Sequence, residues 1–300
     1  MIINNIGVYI PKTRIDNYEI AATFGKNRKF IDEKIGFRRL AEAREETVTD
    51  MLMSAYNVLA EKTAINPKEI GLIITVVQSP DSRIPHTSAV IHNRIGCTAN
   101  CMTFDINQAC AGFCYALNIA EKMNIENTLI LTGEKFSSFV NREKIDFAML
   151  LGDAATATLL KRDGNGFSIT DSRCVTEPDS CGTITISDGF LCMDGGDVFN
   201  SACRIVPPNI RNILVENRKT VDDADLILLH QASMKIVNFI GKILKIPEKV
   251  PFLAGDYGNT GQSSVPIMLA EYIEQSDIKT AVACGFGAGF SHGTVLLERK

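Results

Sequence analysis

Short, unbroken apolar runs alternate along this chain with longer stretches in which apolar residues return every three or four positions. Two of the runs, EIGLIITVVQS from Glu69 and ADLILLHQAS from Ala224, are too short for an amphipathic helix and open into polar loops. They predict buried strands. After Cys110, Phe113, Leu117 and Ala120 recur at helical spacing, so a helix with one core-facing side is expected there.

The same pattern occurs twice. An offset of 153 residues carries Ile73 onto Leu226, Cys110 onto Ser263 and Leu129 onto Val282. Around the second landmark DINQACAGFCYALNIAEKM faces GDYGNTGQSSVPIMLAEYI, and around the third TLILTGE faces TAVACGF. Few residues are identical, but a common spacing of strand, small-residue turn and helix points to two similar α/β halves. KRDGNGFS from Lys161, charged and glycine-rich between apolar strands, is the expected junction, dividing the chain into residues 1–163 and 164–300. Alternating strands and helices predict sheets covered by helices, with a helical layer between two sheets where the halves pack face to face.

Composition narrows the class. With 300 residues and 45% hydrophobic content the chain can fill one large core or two smaller ones. Thirty-one basic against 35 acidic residues, a net charge of −4, argue against a polyanion binder, so nucleic acid is not an expected partner. No apolar stretch approaches the roughly 20 residues that span a bilayer, and the N-terminus shows no leader pattern; a cytoplasmic protein without a membrane partner is expected. Nine cysteines at irregular spacing, with no C-x-x-C pair, suit reduced thiols rather than a disulfide framework or a zinc site.

Loops at matched strand ends of two α/β halves converge on one cleft. Cys110 lies there at the start of a helix, whose N–H groups and positive end are expected to lower the thiol's pKa. His230 leaves a strand in LLHQAS, and Asn259 sits in the turn GDYGNTG. Each alone is a common strand-end or turn residue; together with Cys110 they make a set suited to acyl transfer. CGFGAGFSHG, from Cys284, leads into the strand TVLLE and not into a helix, which excludes a dinucleotide loop and fits a turn whose N–H groups approach a ligand oxygen.

DINQACAGFCYAL, LLHQAS, GDYGNTGQSSVP and GFGAGFSHG resemble the signature blocks of beta-ketoacyl-acyl carrier protein synthase III, of the thiolase superfamily. IGFRRLAEAREETVTDM and LLGDAATATLL match it in order and spacing. The resemblance implies a duplicated αβαβα thiolase-like fold, a homodimer, and no cofactor beyond acyl-coenzyme A or acyl carrier protein thioesters. It implies that Cys110 takes an acyl group from a thioester, and that His230 and Asn259 bind the carbonyl of a malonyl thioester. Loss of carbon dioxide then gives the enolate that attacks the acyl-cysteine. The N–H groups of Cys110 and Ala288 would form the oxyanion hole, Phe286 would line the acyl pocket, and Ile84 would reach toward the partner subunit's pocket.

The chain departs from the family pattern on the coenzyme side. It has no tryptophan, and Phe30 stands near the family's adenine-stacking position. Lys235 and Gly196 replace the family's usual arginine and asparagine, whereas Arg38 is retained. Lys235 and Lys242 share a helix face opposite Val237, Ile240 and Leu244, which suits docking of an acidic acyl carrier protein. Two other functions fit the same scaffold: transfer of the acyl group to an alcohol or amine, and a non-catalytic partner subunit.

Overall fold

The alternation of side chains along each strand decides where the layers lie. The computed structural model describes residues 1–178 and 182–300. In it the two apolar runs form the strands Leu72–Val76 and Leu226–Leu229. Successive residues of a strand point to opposite faces. Leu72, Ile74 and Val76 therefore share one apolar cluster with Leu226 and Leu228, whereas Ile73 enters a second cluster and Ile227 and Leu229 a third.

Two helices fill the shared cluster: Gly112–Met123, through Phe113, Leu117 and Ala120, and Ser264–Tyr272, through Val265, Met268 and Leu269. The helices Val48–Lys62 and Thr87–Ile95 cover the second cluster, and Gly195–Glu216 and Met234–Leu244 the third. The result is five layers, helices alternating with sheet, which is the layered α/β thiolase-like fold.

The 153-residue offset survives in space. It relates Leu72–Val76 to Leu226–Leu229, Gly112–Met123 to Ser264–Tyr272, and Thr128–Glu134 to Thr280–Phe286. The expectation of two separate sheets is corrected. Among the described residues nine strands form one hydrogen-bonded sheet, bent over the central helices. The halves join where Ile2 and Ile3 face Ser168 and Phe167. Gly166, at φ 139, permits this approach, since a Cβ there would lie 2.1 Å from the Ile3 carbonyl oxygen. Residues 162–166 form the turn between the strands Ala154–Lys161 and Phe167–Thr176.

At the far edge lies Met102–Ile106, bonded on one side to Leu72–Val76. The described cysteines are free thiols; Cys181 lies outside the described residues. Among the described residues no helix is long and apolar enough to cross a membrane.

Candidate active site

The turn that ends the strand Met102–Ile106 and starts the helix Gly112–Met123 is strained at one residue. Ala109 has φ 45, a left-handed conformation that costs a non-glycine residue on the order of 1–3 kcal/mol. A 3₁₀ turn, Ala109–Ala111, places Cys110 just ahead of the helix. The end of Thr280–Phe286, from the second half, packs against this turn so closely that side chains are excluded. A Cβ on Gly285 would lie 2.6 Å from the Cys110 carbonyl oxygen, and one on Gly287 would lie 2.9 Å from the Cys110 Cβ and 3.2 Å from its Sγ. Gly285 and Gly287 of CGFGAGFSHG thus allow close contact with Cys110.

Cys110, His230, Asn259, Phe286 and Ala288 all line one cavity of roughly 200 Å³. His230 follows the strand Leu226–Leu229, and its backbone N–H donates to the Cys284 carbonyl at 2.8 Å. The Phe286 ring meets its imidazole edge-on, 5.3 Å between centroids. Asn259 is held by its main chain: its N–H donates to the Leu150 carbonyl at 2.8 Å and its carbonyl accepts from Gly152 at 2.9 Å. Its Oδ1 accepts from the Gly261 N–H at 2.9 Å, which leaves the Nδ2 amide hydrogens as the side chain's free donors. The turn after Phe286 enters the left-handed region at Gly289 and Phe290, φ 69 and 39, and not at Ala288, so alanine fits there without strain.

The electrostatics correct one expectation. The Cys110 thiol is not lowered by the helix terminus; burial, and then the nearby Glu134 carboxylate, push it up to about 12. Glu134 is itself fully buried, and desolvation raises its own pKa despite hydrogen bonds from the Gln78 and Ser79 N–H groups and, at 2.8 Å, from Gln262 Nε2. Burial likewise lowers His230 to about 3, so the imidazole is neutral at physiological pH. The site therefore offers a protonated thiol, a neutral imidazole and an amide around an apolar space.

The remaining residues singled out in the sequence lie outside the cavity lining. Phe30 sits in a surface depression with the Lys26 and Lys34 ammonium groups 5.5 and 5.7 Å from its ring. Arg38 pairs with Asp256 at 3.5 Å, and Lys235 rests on the Phe199 ring at 4.4 Å. Gly196 lies exposed in the first turn of Gly195–Glu216, beside the lining residue Gly195. Ile84 is 87% exposed.

Sequence reasoning missed the apolar walls: Phe136, Phe147 and Leu151 from one segment, and Ile184, Leu191 and Met193 from the hairpin Ile184–Ser187/Phe190–Met193. The Asp188-Gly189 turn of that hairpin was the local signal available. Among the described residues no three His, Cys, Asp or Glu side chains are placed to hold a metal ion.

Comparison with known proteins identifies the family. The profile of 3-oxoacyl-[acyl-carrier-protein (ACP)] synthase III matches residues 104–178, and that of its C-terminal part matches residues 214–299. The beta-ketoacyl-[acyl-carrier-protein] synthase III of Streptococcus pneumoniae serotype 19F (strain G54) is 31% identical over 318 aligned positions, covering 98% of each chain. That of Streptococcus sanguinis (strain SK36) is 30% identical with the same coverage. Among solved structures, the 3-oxoacyl-[acyl-carrier-protein] synthase III of Aquifex aeolicus VF5 superposes with a TM-score of 0.92 at 29% identity, over 99% of both chains. The priming beta-ketosynthase of the R1128 polyketide pathway does so with 0.88 at 26%, over 99% of this chain and 95% of that one. With Cys110, His230 and Asn259 brought from two duplicated halves to one cavity, and the chain matched over 98% of its length by these enzymes, this protein belongs to the 3-oxoacyl-[acyl-carrier-protein] synthase III family of thiolase-fold condensing enzymes.

Proposed function

We propose that this chain joins an acyl group carried on Cys110 to a malonyl thioester with loss of carbon dioxide. The observation that carries the reading is the meeting of Cys110, His230 and Asn259 around one apolar cavity. Cys110 gives its proton to solvent, and its sulfur adds to the carbonyl of an acyl-coenzyme A or acyl carrier protein thioester. The donor's C–S bond breaks, and its thiolate leaves and takes up a proton. In the malonyl thioester the bond to the carboxylate then breaks. Its electron pair forms an enolate whose oxygen accepts hydrogen bonds from His230 and Asn259. The enolate carbon attacks the acyl carbonyl, whose oxygen faces the N–H groups of Cys110 and Ala288. Breaking of the Cys110 C–S bond then releases the 3-oxoacyl product and returns the thiolate. Only the chain's own residues and two thioesters are needed.

Phe286 and the apolar walls would hold the acyl chain, while Phe30, Arg38, Gly196 and Lys235 would surround the entering carrier arm, with Lys235 and Lys242 turned toward an acidic carrier protein. The test is intact-mass measurement after incubation with a panel of acyl thioesters, followed by addition of malonyl-carrier protein. One acyl mass should appear on Cys110 and vanish as the 3-oxoacyl product forms; acyl transfer to an added alcohol or amine without carbon dioxide release would contradict the reading.

The free edge of Met102–Ile106 and the exposed Met102 and Ile84 support a homodimer paired along that edge. Sedimentation should give twice the 32.8 kDa chain mass, and Met102→Lys should halve it; a monomer with full activity would refute the pairing. The division near residue 163 follows the turn at residues 162–166, with one duplicated half on each side. Free thiols fit a cytoplasmic enzyme, and recovery with membranes on fractionation would contradict that placement.

A further inference from the structure

The wall of the cavity away from Cys110, His230 and Asn259 is built from Phe136, Phe147 and Leu151 and from the hairpin residues Ile184, Leu191 and Met193. It begins beside the donors: a Cβ on Gly261, two residues after Asn259, would lie 2.7 Å from the Phe136 ring. It ends on the hairpin, where Met193 pairs with Ile184 and Leu191 with Ile186. Directly paired residues share a face, as do residues two apart on one strand. All four side chains therefore lie on one side of the hairpin. Three of them line the cavity, and Ile186 is 64% exposed. The hairpin is a two-stranded sheet of its own, apart from the nine-stranded sheet. On this side the cavity is thus bounded by a few apolar side chains, with no strand of the main sheet behind them.

Polarity and size then limit what can enter. None of the described lining residues carries a charge at physiological pH, since burial keeps the Cys110 thiol protonated and the His230 imidazole neutral. A carboxylate or ammonium at the far end of an acyl chain would be buried there without a partner, which is strongly unfavourable. A cavity of about 150 Å³ lined by Leu, Ile and Phe takes up benzene, with its six carbons. At that ratio the roughly 200 Å³ here holds about eight carbons. In the condensation the enolate carbon and thioester carbon of the extender share this space, which leaves room for about six. We propose that the cavity selects an uncharged hydrocarbon acyl group of about six carbons, and that the hairpin face carrying Ile184, Leu191 and Met193 sets the limit. This rests on the condensation proposed above and names the class of its primer.

The test gives the full-length protein saturated acyl thioesters from acetyl to dodecanoyl, on coenzyme A and on carrier protein, and reads acylation of Cys110 by intact mass. For the wild type kcat/KM should rise about fourfold per methylene from acetyl to hexanoyl, as each added group leaves water. It should fall about tenfold or more from octanoyl to dodecanoyl, where the chain outgrows the walls. Glutaryl, with a carboxylate in place of pentanoyl's methyl, should react about 100-fold more slowly than pentanoyl. Leu191→Ala should move the optimum to longer chains and Leu191→Trp to shorter ones, whereas a merely structural wall would lower all rates together. Acetyl preferred to hexanoyl, or dodecanoyl taken as readily as hexanoyl, overturns the proposal on the wild type alone, and so does glutaryl reacting as fast as pentanoyl. Leu191 variants that keep the wild-type order of chain lengths overturn the part assigned to the hairpin. If no thioester of any length acylates Cys110, it is the condensation reading that fails, and this inference falls with it.

Discussion

Cys110→Ala should abolish the acyl-enzyme and lower turnover by roughly four orders of magnitude or more, the scale seen when a covalent nucleophile is removed. Among the described cysteines only Cys110 lines the cavity. Cys114 and Cys284 are fully buried, and Cys101 is nearly so. The thiols of Cys97 and Cys203 are raised by burial and lie outside the cavity lining. Intact-mass analysis after incubation with an acyl thioester should show one added group on the wild type and none on the variant. Acylation of a different cysteine in Cys110→Ala, with activity retained, would sink the assignment.

The pH profile tests the electrostatics of the same residue. The thiol is raised, so it is neutral at physiological pH, and its thiolate fraction should grow about tenfold per pH unit between pH 7 and 10. The single-turnover acylation rate should rise in step. A plateau near neutral pH would show that the helix terminus outweighs burial and Glu134.

His230→Ala and Asn259→Ala should each leave acylation of Cys110 in place while slowing release of carbon dioxide from malonyl-carrier protein by about 100- to 1000-fold. The sparing of acylation follows from the neutral, buried imidazole, which is a poor proton acceptor at physiological pH. The loss follows from the proposed enolate, whose charge would develop in the cavity that His230 and Asn259 both line. If the two act on one oxygen, as proposed, the double variant should fall well short of the product of the single effects. Radiolabelled acylation and carbon dioxide release, measured separately, check this. If acylation is lost while carbon dioxide release persists, His230 is the cysteine's base, and transfer to an alcohol or amine becomes the better reading.

Much of this was legible in the chain itself. The 153-residue offset needs only strand and helix periods, and it located the strand ends that carry Cys110, His230 and Asn259. What the sequence could not show depends on packing across large separations. Glu134 ends the strand TLILTGE, and nothing local says that it is buried or that Gln262, 128 residues away, bonds to it. Its charge and the enclosure by Gly285 and Gly287 reverse the shift expected for a cysteine at a helix terminus. The apolar walls have local signals for a hairpin and for two phenylalanines, but nothing local says that they face Cys110. The junction of the two halves hangs on Gly166, whose need for positive φ is visible only once the Ile3 carbonyl is known to lie against it.

The short seam between the halves also bears on how the protein comes into being. A chain whose synthesis has reached the turn at residues 162–166 already contains Cys110, but it has neither the glycines that pack on that cysteine nor the hairpin that walls the cavity. His230 and Asn259 are still unmade. Domains fold from the N-terminus as they emerge, so the first half passes through a period in which Cys110 faces none of the second-half residues that line its cavity, Phe286 and Ala288 among them. Chemistry is withheld from the unfinished polypeptide and from any fragment cut at that turn, because Ala288 and Phe290, which complete the cavity lining, belong to the second half.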